Sequence, residues 1–179
     1  KVYLAEAKID AARREFKTYL DRYKGKRNRS EGYTLLARLY QLTGNAEQAF
    51  ETYSKVFDTG YPSREARTGR AEAAIALGWY KPALRDLKIA QRTYGDRPEI
   101  FLLRARTYVH MSKLRPALKA ANAAVELAPA NTAALLVRAT IFEGLDMRQQ
   151  AVDDLRAVLK IEPENKEALE GLARLQAAD

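Results

Sequence analysis

The residues with chemistry to offer are few, and most are cationic. The chain has one histidine, His110, and no cysteine. A histidine-rich metal site, a thiolate site, a disulfide and a cysteine nucleophile are therefore excluded. The sequence holds no glycine-rich phosphate loop and no nucleophile elbow. Asp153-Asp154 is an acidic pair, but adjacent residues on a helix do not face one another, so cooperating carboxylates are not expected there. The expectation is a non-enzyme with no cofactor and no metal. What remains is positive charge. Residues 23–30 read YKGKRNRS, which gathers Lys24, Lys26, Arg27 and Arg29 into one basic patch. Arg70, Arg104 and Arg138 recur at a spacing of 34.

The elements that hold these residues follow from composition and period. The chain is 47% hydrophobic and 30% charged, a globular balance with no polar low-complexity run. No stretch approaches the roughly 18 consecutive apolar residues that a membrane span requires. The chain opens at Lys1 in place of Met, as expected of a processed form or an excised piece. Net charge is +8 and uneven: +6 over residues 1–30, +5 over 31–145 and −3 over 146–179. Such a basic start attracts nucleic acid, an anionic surface or an acidic protein, or is simply a solvated face.

Small residues repeat in one register. Ala37, Ala71, Ala105, Ala139 and Ala173 are 34 apart, as are Ala49, Ala83, Ala117 and Ala151. Val56, Ala90, Ala124 and Val158 keep the same step, and so do Pro129 and Pro163. Paired helices at 8–10 Å need positions without bulk where their backbones come near. Each period shows two helical stretches with a break between them. Gly44 and Gly78 suit helix C-terminal turns. Ser30, Ser63, Asp96, Asn131 and Asn165 stand near first-helix starts as caps. Pro82 and Pro116 fall in the first turn of second helices. Asp86 and Asp154 lie 16 residues after Arg70 and Arg138, which predicts Arg–Asp bridges across two helix pairs. Arg104 lacks that Asp. Trp79, after Gly78, is read either as packing on a neighbouring repeat or as a partner contact.

This pattern resembles the tetratricopeptide repeat (TPR) family, in the Ala at the eighth and twentieth places, the small residue at the twenty-seventh and the Pro at the thirty-second. The match is strong in the units that begin at Ser30, Pro98 and Thr132. It is weaker in the unit that begins at Arg64, where Arg67 and Ala74 replace the usual apolar and aromatic residues. The resemblance implies an all-α fold, a right-handed α-solenoid of 34-residue helix-turn-helix repeats over 30–63, 64–97, 98–131 and 132–165. Residues 166–179 are then a C-terminal capping helix. Residues 1–29 are a partial N-terminal repeat followed by a lengthened basic loop, with the chain starting mid-helix and upstream sequence missing.

The resemblance also implies a concave groove lined by first helices, which takes a peptide or helix of a partner protein. Its lining is expected at Thr34, Arg38, Gln41, Thr68, Glu72, Ile75, Leu102, Arg106, Val109, His110, Leu136, Thr140 and Glu143. That mixture suits an amphipathic helix, or an extended peptide with acidic side chains near Arg38 and Arg106. The Lys and Asn clamp used by some family members for a carboxylate tail is not present. Other readings are a nucleic-acid or anionic-surface binder working through the basic N-terminal third, and a self-assembly module. The second of these would form a homo-oligomer through residues 1–20, with Val2, Leu4, Ile9, Phe16, Tyr19 and Leu20 as the apolar face. An Ala- and Arg-rich composition points to a bacterial origin, for which the resemblance implies a place in secretion, pilus or envelope assembly. The compartment is left open, with a soluble domain of the cytoplasm or periplasm expected, or a fragment of a larger or membrane-anchored protein.

Overall fold

A computed structural model describes residues 2–177, with side chains described from 9 to 176. The described residues form ten helices and no strand. They fall into two compact units, which divide between Ala90 and Gln91.

The first unit contains α1 (Val2–Arg22), α2 (Lys26–Leu42), α3 (Ala46–Asp58), α4 (Arg64–Ala76) and most of α5 (Tyr80–Tyr94). Its core gathers Leu36, Ala37, Tyr40, Ala49, Tyr53, Val56, Ala66 and Ala73, with Phe16 and Leu20 of α1 packed against it. The second unit holds α6 (Pro98–His110), α7 (Leu114–Leu127), α8 (Thr132–Glu143), α9 (Arg148–Ile161) and α10 (Lys166–Ala177). Two clusters fill it, one around Ala124, Leu135, Leu155 and Val158, the other around Ala105, Ala117, Ala121 and Ile141. The small-residue positions do what their spacing requires. Ala37, Ala49, Ala71, Ala83, Ala105, Ala117 and Ala151 are all 0% exposed.

The turn between paired helices is also periodic. Gly44 and Gly78 have φ of +76° and +74°, and Ser112 and Asp146, at the same 34-residue step, have φ of 57° each. The next residue closes the turn with a bond five residues back: Asn45 N to Tyr40 O, Trp79 N to Ala74 O, Lys113 N to Tyr108 O and Met147 N to Phe142 O, at 2.7–2.9 Å. This is a Schellman ending, which needs a left-handed residue just past the helix. Two units meet the requirement with glycine and two meet it against a Cβ penalty.

Three local expectations are corrected. The stretch KRNRS is not a loop: α2 begins at Lys26, so only Tyr23, Lys24 and Gly25 connect α1 to α2. Nothing in those five residues breaks a helix, and Arg29 N bonds to Gly25 O at 2.9 Å. Ser30 is therefore inside a helix and caps nothing; its hydroxyl donates to Tyr61 O at 2.6 Å and ties α2 to the α3–α4 loop. Asp96 is not a cap either, because α6 starts one residue on, with Arg97 at its N-cap, and the Asp96 carboxylate accepts from Gln91 at 2.8 Å. Ser63, Asn131 and Asn165 do accept from the N–H three residues on, at 3.0–3.1 Å.

The Arg–Asp bridges form as spaced. Arg70 holds Asp86 bidentately at 2.7 and 2.7 Å, and Arg138 holds Asp154 at 2.7 and 2.6 Å. Arg104, without an Asp, donates to Gln91 at 2.8 Å. Arg67 shows how the irregular unit is filled. Its guanidinium lies 4.6 Å from the Phe57 ring and reaches Asp86 at 3.5 Å, so two arginines share one buried carboxylate. Trp79 packs edge-on against Phe50 with ring centroids 5.0 Å apart and keeps 43% of its surface exposed.

Ser112→Gly should raise the unfolding free energy by about 0.5–1 kcal/mol, because relief of the left-handed penalty outweighs the extra freedom of glycine in the unfolded chain. Asp146→Gly should gain less, since Asp tolerates that conformation better than Ser. Urea denaturation of the two variants reads both values.

Candidate functional site

In the first unit α2 and α4 present a shared face. Of the expected lining, Arg38, Gln41, Thr68 and Glu72 meet around one cavity of about 280 Å³, which Leu42, Tyr53, Glu65 and Gly69 complete. Arg38 is exposed and pairs with Glu65 at 3.3 Å. Gln41 donates to Glu72 and accepts from the Tyr53 hydroxyl at 3.0 Å, so its amide links α2, α3 and α4. Thr68 donates back to Arg64 O at 3.1 Å, and Ile75 is half-buried. Thr34 turns inward: it is 7% exposed and donates to Ser30 O at 2.8 Å.

A second cavity, of about 520 Å³, adjoins the first through Glu65 and is lined by Arg27, Glu31, Leu35, Tyr61 and Ser63 among others. Sequence reasoning missed the apolar rim of both. Leu35 is 41% exposed, Leu42 is 77% and Tyr61 is 56%. Leu35 and Leu42 are seven residues apart, hence on one helix face, and that face is turned away from the buried Leu36, Ala37 and Tyr40. The signal was in the sequence, but each leucine lies one place beyond an expected lining residue, Thr34 and Gln41.

Tyr53 forms the floor. It is 1% exposed and its phenol is pushed up to about 12, first by burial, then by the negative charges of Glu65 and Glu72, with Arg38 opposing. Its ring occupies the space beside Gly69, where a Cβ would overlap it. Gly69 is therefore required by packing. Two acids at this spot outweigh one arginine.

The second unit treats its expected lining differently. Leu102 and Leu136 pack against the Leu135–Leu155 cluster, and Val109 against Ala105 and Ile141. Arg106, His110 and Thr140 are exposed, with Thr140 donating to Leu136 O at 3.0 Å. Glu143 is drawn to Arg174 of α10 at 3.5 Å. The apolar members of the expected lining here are thus half-buried, packed against the unit's own core.

The basic patch is divided. Arg29 donates to the Tyr33 hydroxyl at 2.7 Å and lies over that ring, while Lys24 pairs with Asp21 at 3.6 Å. Lys26 and Arg27 stay exposed in the first turn of α2. On α1, Val2 and Leu4 have side chains outside the described residues; Phe16 and Leu20 pack into the core, and Tyr19 stacks on Tyr23 at 4.7 Å. Among the described residues, no group of three or more His, Cys, Asp or Glu is placed to hold a metal ion, and no helix is long and apolar enough to cross a membrane.

Residues 30–58 match the tetratricopeptide repeat model. A stretch of 73 residues is 40% identical to Sperm-associated antigen 1 of Mus musculus; it covers 41% of this chain and only 8% of that protein. Among solved structures, TTC0263, a thermophilic TPR protein of Thermus thermophilus, superposes with a TM-score of 0.75 at 20% identity, covering 98% of this chain and 93% of that one. YrrB, described as a TPR protein with an unusual peptide-binding site, gives 0.66 at 20% identity, over 89% and 90% of the two chains. At such identities the two structures speak for the fold alone. Repeat match, 34-residue period and paired helices agree: residues 30–58 carry a tetratricopeptide repeat, and the chain folds as tetratricopeptide-repeat proteins do.

Two outcomes test this site. Gly69→Ala should cost about 2 kcal/mol through overpacking against Tyr53. In a Tyr53→Leu background the same change should lose that cost and turn stabilising by up to ~1 kcal/mol, since alanine is intrinsically the better helix former; a denaturation double-mutant cycle measures the difference. The second outcome concerns pH. A phenol whose folded pKa is raised stabilises the fold fully below its unfolded value of 10.0 and loses that contribution as pH climbs to about 12. In a tyrosinate absorbance titration, the component rising near pH 12 should vanish in Tyr53→Phe and move to lower pH in Glu72→Gln.

Proposed function

We propose that the chain is a non-enzymatic interaction scaffold that seats a peptide or short helical segment of a partner protein on the α2–α4 face of its first unit. The observation that carries this reading is the Leu35, Leu42 and Tyr61 rim over two adjoining cavities. A large apolar side chain that is 77% exposed, with a second one seven residues away, is surface the fold itself does not use. The cavities beneath, of about 280 and 520 Å³, are large enough to take individual side chains of a bound segment. Polar groups around them supply orientation through Arg38, Gln41 and Glu72. The matched repeat and a structural neighbour described as having a peptide-binding site support a protein partner. Because the matched stretch is a small fraction of its longer relative, the activity of any larger protein is a separate matter.

The test is selection from a display library of random dodecapeptides against the wild-type chain and against Leu42→Asp. Enriched peptides should bind the wild type and lose about tenfold in affinity, ~1.4 kcal/mol, on the variant, because a buried leucine contact becomes an unpaired charge. Circular dichroism should show the variant folded, since Leu42 is already solvent-facing. No enrichment over background, or enriched peptides indifferent to Leu42→Asp, overturns the assignment.

A further inference from the structure

The face has a sign that the sequence alone misread. From the sequence, Arg38 invites an acidic partner. In the structure Arg38 already faces Glu65 across the cavity mouth at 3.3 Å. Glu72, one turn beyond Thr68 on α4, has no cationic partner among the described residues and is bonded to the neutral amide of Gln41. Around the neighbouring cavity, Arg27 is balanced by Glu31 and Glu65. Charges lining the two cavities are thus two arginines and three glutamates, Glu65 being shared. In a chain of net charge +8 this face is locally acidic.

We infer that the occupant of the α2–α4 face is an apolar–cationic protein segment: its apolar side chains lie on Leu35 and Leu42, and a Lys or Arg enters the 280 Å³ cavity toward Glu72 and Glu65. This rests on the peptide-scaffold reading and gives its partner a chemistry. Size and shape agree with a long cationic side chain. The methylene stem of Lys or Arg packs along an apolar rim while its head group reaches polar atoms deeper in. Leu42 is that rim, and Glu72, Gln41 and the Tyr53 hydroxyl lie on the same cavity. The same two glutamates also oppose ionisation of Tyr53, whose phenol is raised first by burial. An acidic side chain placed there meets the Glu72 carboxylate, with Glu65 already paired to Arg38, and loses the water that screened it, which is costly. Specificity then comes from repulsion of acidic segments as much as from attraction of basic ones.

The dodecapeptide selection distinguishes this inference from the reading it rests on. The expected result is enrichment of sequences that combine Leu, Ile, Phe or Met with Lys or Arg. Long-range repulsion by a chain of charge +8 works against such peptides, so their enrichment reports the local site. A resynthesised winner should bind about fivefold to tenfold more weakly to Glu72→Gln, and Glu72→Lys should shift the selected sequences toward Asp and Glu. Both substitutions keep the helix-forming character of a half-buried position, and circular dichroism with thermal melting checks the fold. Enrichment of acidic peptides, or of cationic ones indifferent to Glu72→Gln, overturns the charge assignment and leaves the scaffold reading standing. Absence of any enriched peptide overturns both.

Discussion

Close approach of paired helices at alanine is the constraint on which the rest of this structure depends. Where a first helix meets its second, the side chain at each contact has essentially no exposed surface: Ala37 and Ala49, Ala71 and Ala83, Ala105 and Ala117 are all at 0%. One added methylene group at such a point has nowhere to go in a close-packed interior. Bulk is displaced to neighbouring positions, where Tyr53, Leu87 and Leu155 are buried at 0–2%. The repeat is visible in the sequence because this constraint recurs, not because function does. Ala173 shows the converse: it keeps the step of 34 yet is exposed on α10, which has no later helix against it among the described residues.

With the helix spacing fixed, polar chemistry is arranged around it. The bidentate bridges of Arg70 to Asp86 and Arg138 to Asp154 join the two helices of a pair at a buried carboxylate. Such pairs are weak evidence for net stability, since desolvation offsets much of the attraction, but they penalise any register in which the carboxylate loses its partner. At Asp86 the arrangement is asymmetric. Arg67 occupies a place that is otherwise apolar, and it fits by laying its flat guanidinium on Phe57 while sharing the acid with Arg70. Arginine can do this because it is planar and weakly hydrated. The irregular unit is thus filled from its neighbour as well as from within: Phe57 takes the guanidinium, and Tyr53, also on α3, lays its ring beside Gly69.

What the sequence makes legible follows from which features are local or periodic. Helix pairing, the glycine turns, two of the bridges and the caps at Ser63 and Asn131 depend on spacing within one repeat, and spacing was enough. The same register misplaced Ser30, because a period marks where equivalent residues fall and not how far a helix runs beyond them. KRNRS has no breaker, so α2 continues back to Gly25. Among candidate site residues, Leu102 and Leu136 could not be told from Leu35 and Leu42 by type alone. Only packing shows that the first two lie half-buried against the core of their own unit and the second two are left outside.

The charge of the site was the least legible property, for a physical reason. A formal sum over residues treats Arg38 as a free cation, whereas its field is cancelled by Glu65, 27 residues away in sequence and 3.3 Å away in space. Glu72 escapes cancellation because its neighbour is an amide, and the amide is held there by the Tyr53 hydroxyl. Local electrostatics at short range is set by which oppositely charged groups come within a few ångströms, whereas the net charge acts over longer distances and is damped by salt over a Debye length of about 8–10 Å. A basic protein can therefore carry a locally acidic face without contradiction. The composition sets how partners approach from a distance, and the α2–α4 pairing sets what they meet on arrival.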